Sequence, residues 1–176
     1  MHIFLHGPIN IGKSTVIRKT LDIIIQKKPL TIGGFYTWRS GDDAPEIYLS
    51  PAGAGREREI HRLASYNKEK GGFICDYSVF STAARYLSES IDADLIIMDE
   101  LGFLESEAPD FQRAVHDTLA ANVPMLGVLR TGKHIPWHDE IKKNPQVTLQ
   151  EVSEKNRDSL PQDLAGWFNS QITKQR

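Results

Sequence analysis

The chain has 176 residues, 40% hydrophobic and 25% charged, with a formal net charge of −2 at pH 7; such values predict one soluble globular domain spanning residues 1–176. The near-neutral balance excludes the basic field that holds a nucleic-acid backbone, and the lone Cys75 excludes a disulfide scaffold or a thiolate zinc site. Apolar runs of about four residues are far shorter than the ~20 of a membrane helix.

His2 to His6 is the first strand candidate, and with no basic n-region before it a signal peptide is not expected. The expected location is therefore the cytoplasm. From Lys13 to about Lys28, Ile17, Leu21, Ile24 and Ile25 recur at helical spacing, and Pro29 ends the pattern. Thr31 to Arg39 is aromatic and β-branched, which predicts a strand closed by the turn Ser40-Gly41-Asp42-Asp43. Two short strands, Glu46 to Leu49 and Glu59 to Leu63, flank the glycine turn Gly53 to Gly55. Phe73 to Tyr77 reads as a strand, and the following helix carries Phe80, Ala83, Ala84, Leu87 and Ile91 on one side. Leu95 to Met98 is apolar throughout, as a strand buried on both faces should be, and it runs into Asp99-Glu100. Next come a helix with Pro109 near its start, the apolar strand Met125 to Leu129, and the strand Gln146 to Val152. The last helix presents Leu160, Leu164, Trp167 and Phe168, with Ser159 and Gln162 at capping-box spacing. Strands alternating with helices predict an α/β fold, a mostly parallel sheet covered by helices on both faces. The strand-rich stretch after the first helix predicts an antiparallel insertion.

Gly7-Pro8-Ile9-Asn10-Ile11-Gly12-Lys13-Ser14 fits G-x-x-x-x-G-K-[ST] and sits between a strand and a helix, the context that this phosphate-binding loop requires. Gly7 and Gly12 permit backbone angles that side chains forbid, so successive N–H groups can converge on one anion. The helix from Lys13 adds its positive N-terminal end. Lys13 is the candidate cation for the β- and γ-phosphates, and the Ser14 hydroxyl is a hard ligand for Mg²⁺. Thr15 is placed either to touch the α-phosphate or to cap the helix. In sheets of this class ligands bind beyond the carboxyl ends of the strands, where Leu95 to Met98 delivers its acidic pair. Asp99 is therefore the candidate on the metal side, through a bound water, and Glu100 the candidate that orients or deprotonates the attacking water.

These segments resemble the cancer-related nucleoside-triphosphatase family, small stand-alone P-loop NTPases. Besides the loop, Gly34-Phe35-Tyr36-Thr37 matches the family's G-F-Y-T, and Asp99-Glu100-Leu101-Gly102-Phe103-Leu104-Glu105 stands where the family tends to have D-E-I-G-K-M-E. Leu126-Gly127 is similar to its L-G-T strand, and Asn156-Arg157-Asp158 to its N-R-[DN]. The resemblance implies a Rossmann-like P-loop fold that hydrolyses the γ-phosphate of several nucleoside triphosphates with Mg²⁺. Ile9 and Asn10 replace the Pro and Gly usual inside the family's loop, and Phe103 replaces a lysine, which predicts slow turnover unless another cation serves.

Arg130, Lys133 and His134, after the strand Met125 to Leu129, are the candidates for that cation. Arg39 stands either over the phosphates or in a solvated turn, and Glu105 either near the metal site or as a surface charge. Asn156 and Arg157 lie before the last helix, where P-loop proteins often contact the base; capping is the alternative for Asn156. Arg56, Arg58 and Arg62 form a basic patch that a kinase would use as a lid. A P-loop small-molecule or nucleoside kinase is accordingly the alternative to a triphosphatase. His134 and His138 lack the H-E-x-x-H pattern of a zinc site. A monomer acting on ATP, GTP or another triphosphate is expected, with no nucleic-acid or membrane partner.

Overall fold

Apolar runs become buried strands here, and the two most apolar, around Leu95 and Met125, end up paired beside each other. A computed structural model describes residues 1–41, 43–53, 59–132 and 134–174, the last by its backbone alone. In chain order these form β1 (His2–His6), α1 (Lys13–Lys27), β2 (Ile32–Ser40), β3 (Glu46–Pro51), β4 (His61–Asn67), β5 (Gly72–Cys75) and α2 (Ser78–Ser88). There follow β6 (Leu95–Leu101), a 3₁₀ turn (Leu104–Glu107), α3 (Pro109–Ala120), β7 (Met125–Leu129), α4 (Pro136–Lys143), β8 (Val147–Glu151) and α5 (Leu160–Lys174). The strands build one sheet in the order β5-β4-β3-β2-β6-β7-β1-β8. Strands β2, β6, β7, β1 and β8 run parallel, whereas β3, β4 and β5 continue the sheet antiparallel from β2. The α/β architecture with an antiparallel insertion is thus the one the sequence predicts.

Side-chain alternation along the strands divides the core in two. Ile3 and Leu5 of β1, Leu95 and Ile97 of β6, and Leu126 and Val128 of β7 face α1 and α5. Phe4, Ile96, Met98, Met125 and Leu129 face the opposite side, covered by α2, α3 and α4. Each large apolar side chain buried completely, such as Ile24 or Phe111, stabilises the fold by about 1.5–3 kcal/mol. Glycines set several close approaches, two of them between neighbouring parallel strands. A Cβ at Gly127 would lie 2.4 Å from the Phe4 ring, and one at Gly34, where φ is +90°, would lie 1.9 Å from the Ile97 carbonyl oxygen. Ser90, just beyond α2, reaches into the same seam and accepts a hydrogen bond from the Gly34 N–H at 2.8 Å.

Several local expectations need correcting. The second insertion strand starts at His61 rather than Glu59, and β5 stops at Cys75, because the Asp76 carboxylate accepts from the Ser78 N–H and begins α2 instead. Ile91 falls beyond the end of α2 and is exposed. Helix α4 escapes the periodicity reading because only Trp137 and Ile141, four residues apart in a polar stretch, are apolar and buried. The capping box at α5 does not form: the Ser159 hydroxyl donates back to the Asn156 carbonyl at 3.3 Å. Asp42 and the glycine turn from Ala54 onwards, with Arg56, Arg58 and Lys133, lie outside the described residues.

Candidate active site

The loop after β1 turns tightly against β8. Gly7 has φ +142°, and a Cβ there would meet the Val152 carbonyl oxygen at 2.5 Å, so only glycine fits. Asn10, with φ +61°, occupies the left-handed region that asparagine tolerates, and Gly12 enters α1 at φ +108°. No side chain caps α1, which leaves the N–H groups of its first turn available to an anion at the loop. Pro8, Ile9, Asn10, Ser14 and Thr15 are exposed around it, Ile11 and Gly12 are half-buried, and Gly7 is buried. The buried Lys13 folds back over this loop, its Nζ donating to the carbonyls of Gly7 at 3.0 Å and Pro8 at 2.8 Å. Burial lowers its pKa, against the pull of Glu100 and Asp99.

Alternation along β6 sends Leu95, Ile97 and then Asp99 toward the α1 face, which is where Ser14 stands. The Ser14 hydroxyl donates to Asp99 Oδ1 at 3.1 Å. Asp99 is 3% exposed, and burial pushes its carboxyl up to about 6, with the Ser14 hydrogen bond and then Glu100 acting in opposite directions. A buried, under-compensated carboxylate beside a hydroxyl is a donor set suited to a hard divalent cation, with magnesium the natural candidate. Glu100, joined to Asp99 by a cis peptide, turns to the other neighbour. Its Oε1 accepts from Arg130 Nη1 at 2.9 Å, and its backbone N–H donates to Thr37 Oγ1 at 3.1 Å. The G-F-Y-T threonine therefore braces the acidic pair. Tyr36 lies level with Asp99 in the β2–β6 ladder, and burial, then the Asp99 charge, pushes its phenol up to about 12.

Glu105 is buried rather than a surface charge, and its Oε2 accepts from the Gly102 N–H at 2.9 Å. Burial pushes this carboxyl up to about 7. Phe103 is 42% exposed, so it does not belong to the core, and the Arg130 guanidinium lies 5.6 Å from its ring centroid. Among the cation candidates, Arg130 stands at the site, whereas His134 pairs with Asp139 at 2.8 Å on an exposed surface. Arg39 is exposed on β2 opposite Ile47, and Arg62 pairs with Glu46 at 3.0 Å on the insertion. Asn156 uses both ends of its amide within its own loop. Its Oδ1 accepts from the Ser153 N–H and its Nδ2 donates to the Glu151 carbonyl, each at 2.8 Å. Arg157 is exposed beside it, on the segment that follows the Gly7–Val152 contact. Thr131, whose hydroxyl donates to the Gly7 carbonyl at 2.8 Å, escapes sequence reasoning, because nothing in the motif reveals that β7 runs next to β1.

A glycine loop between a parallel strand and an uncapped helix, facing a carboxylate on a nearby strand, defines a P-loop α/β protein of the NTPase class. The family model for NTPases matches residues 2–165, and the chain belongs to that family. It is 27% identical over 175 residues to the nucleoside-triphosphatase THEP1 of Methanosarcina barkeri, which covers 96% of this chain and 97% of the relative. Two solved structures share the fold. The THEP1 crystal structure from Aquifex aeolicus matches with a TM-score of 0.74 at 21% identity, over 96% of this chain and 99% of that one. The solution structure of a human cancer-related nucleoside triphosphatase matches with a TM-score of 0.73 at 24% identity, over 96% and 97% of the two chains.

Proposed function

We propose that this protein is a Mg²⁺-dependent nucleoside triphosphatase that releases the γ-phosphate, with broad base tolerance and slow turnover, and that it acts as a monomer. The observation that carries the reading is the 3.1 Å contact between Ser14 of the phosphate loop and Asp99 of β6, with Glu100 next in the chain. It supports the reading because a phosphate loop and a carboxylate this close are what one bound triphosphate would require. The names of its relatives point the same way.

In this reading the loop N–H groups from Gly7 to Thr15 hold the phosphates, and Lys13 exchanges its two loop carbonyls for β- and γ-phosphate oxygens. Ser14 and Asp99 would hold a magnesium ion, which would supply positive charge against the phosphates. Glu100 orients the water and accepts its proton as the new oxygen–phosphorus bond forms. The bond between phosphorus and the diphosphate oxygen breaks, and its electron pair leaves with the diphosphate. Positioning and charge stabilisation supply most of the acceleration. Asn156 shapes the loop that presents Arg157 toward the base. Base tolerance follows from recognition directed at the phosphates, which all triphosphates share.

The test is phosphate release from ATP, GTP, CTP, UTP and the deoxynucleotides, with and without Mg²⁺ and with no added acceptor. Lys13→Ala should abolish release, and turnover of the parent should stay below the ~10 s⁻¹ of a median enzyme. Parent-rate hydrolysis by Lys13→Ala, or a preference above a hundredfold for one base, would refute the corresponding part of the reading.

A further inference from the structure

In the sheet order, β7 lies between β1, which carries the phosphate loop, and β6, which carries the acidic pair. A residue leaving the end of β7 therefore stands between the two halves of the site. That residue is Arg130. Its backbone N–H is tied to the Leu101 carbonyl at 2.9 Å, and the next residue, Thr131, is tied to Gly7 at 2.8 Å. Position 130 is thus anchored toward the carboxylates on one side and toward the phosphate loop on the other. The guanidinium pairs with Glu100 at 2.9 Å, and the side chain is 35% exposed, with room to change partner. The Phe103 ring, 5.6 Å away, offers it a flat apolar ledge.

The geometry points to Arg130 as a γ-phosphate-binding catalytic residue that Glu100 holds in reserve until a triphosphate arrives. This rests on the triphosphatase reading above. While paired, Glu100 Oε1 is taken up by the Arg130 guanidinium and is not free to accept a hydrogen bond from the water. A γ-phosphate carries more negative charge than one carboxylate and presents two oxygens to the planar guanidinium fork. Arg130 therefore changes partner and releases Glu100 toward the water in the same movement. Its charge then offsets what builds up on the equatorial oxygens as phosphorus passes from the diphosphate oxygen to the water oxygen. The aromatic face of Phe103 attracts the cation and keeps the side chain over the site during the exchange. Hydrolytic competence is thereby coupled to occupancy by a triphosphate.

The experiment compares the parent protein with Arg130→Ala, Arg130→Lys, Glu100→Gln, the Arg130→Ala/Glu100→Gln double variant and Lys13→Ala. It measures kcat, the Kd of a non-hydrolysable ATP analogue, and the Kd of ADP with aluminium fluoride, all with Mg²⁺. Arg130→Ala should lose about 10²–10³ in kcat and a similar factor in affinity for the aluminium fluoride complex. Its affinity for the ATP analogue should change less than threefold. Arg130→Lys should recover less than a tenth of the lost rate. Millimolar guanidinium should partly restore Arg130→Ala, which a misfolded protein would not allow. Glu100→Gln should tighten analogue binding severalfold, and only while Arg130 is present. A kcat loss below tenfold in Arg130→Ala would overturn the inference, as would an equal loss of analogue affinity or tightening by Glu100→Gln in the absence of Arg130. Lys13→Ala separates the two levels: if it remains fully active the triphosphatase reading itself fails, and if it is inactive only the role of Arg130 is at issue.

Discussion

Replacing Glu105 by glutamine should stabilise the protein above neutral pH and change its stability little near pH 4. The side chain is 4% exposed, and its carboxyl is pushed from an ordinary 4.5 up to about 7, chiefly by burial and further by the charge of Glu100. Between those two values the unfolded chain has lost this proton while the folded chain keeps it, so stability falls as pH rises across the window and levels off above it. The gap from 4.5 to about 7 corresponds to about 3 kcal/mol at 1.36 kcal/mol per pH unit. For a chain of this size that is roughly 10 °C in Tm. Glutamine is neutral throughout and keeps an oxygen for the Gly102 N–H, now accepted at 2.9 Å. Urea unfolding of both proteins from pH 4 to pH 8.5 checks this. The buried His2 and His138, both lowered to about 4, titrate alike in parent and variant and cancel in the difference. A stability difference that stays constant from pH 4 to 8.5 would refute the reasoning, because it would mean that Glu105 ionises normally inside the fold.

Glu100→Gln should keep Mg²⁺–nucleotide binding while kcat falls by ~10²–10⁴, whereas Asp99→Asn should raise the Mg²⁺ concentration needed for half-maximal rate; small, equal effects would refute the assigned roles. Phe103→Lys should lower kcat with KM little changed, because it removes the ring beside the Arg130 guanidinium and puts a like charge there, and since residue 103 is exposed its thermal melt should stay near that of the parent. An undiminished kcat, or a drop of several degrees in the melt, would refute this. Gly34→Ala should cost more than ~3 kcal/mol or prevent folding, because its methyl would lie 1.9 Å from the Ile97 carbonyl oxygen. Gly71→Ala, at φ +63° with nothing within 4 Å, should cost only the ~1–2 kcal/mol of left-handed strain. Similar melting shifts in the two alanine variants would contradict the close approach of β2 to β6.

The parallel half of the fold was legible because strands buried on both faces are written as apolar runs; the β7 bounds match the run Met125 to Leu129. Helix α4 was not, since a short helix that buries only Trp137, His138 and Ile141 leaves no periodic signal in a polar stretch. Asp99 and the phosphate loop could be singled out because their chemistry requires particular residue types at the ends of particular elements. Which strands are neighbours could not. The alignment of Thr37 with the Glu100 N–H, and of Arg130 with its carboxylate, depends on the order β2-β6-β7-β1, and spacing along the chain does not encode that order. Glu105 stood open between a place near the metal site and a surface charge for the same reason: only the turn after β6 shows that its carboxylate folds inward to Gly102.

The position of β1 in the sheet also has a consequence for biosynthesis. Among the described residues its ladder partners are β7 and β8, residues 125–129 and 147–151, so this strand waits to be paired by segments made far later in the chain. At about 5–20 residues per second, Ile3, Phe4 and Leu5 wait on the order of ten seconds for the segment that covers them. Throughout that interval the phosphate loop has no scaffold, and nucleotide cannot assist folding by binding it. Pairings this distant in sequence also slow folding, because loop closure has to precede the contacts that reward it. The nascent chain is therefore most exposed to trapping by chaperones, or by other chains, until residues 125–151 have emerged to pair with β1.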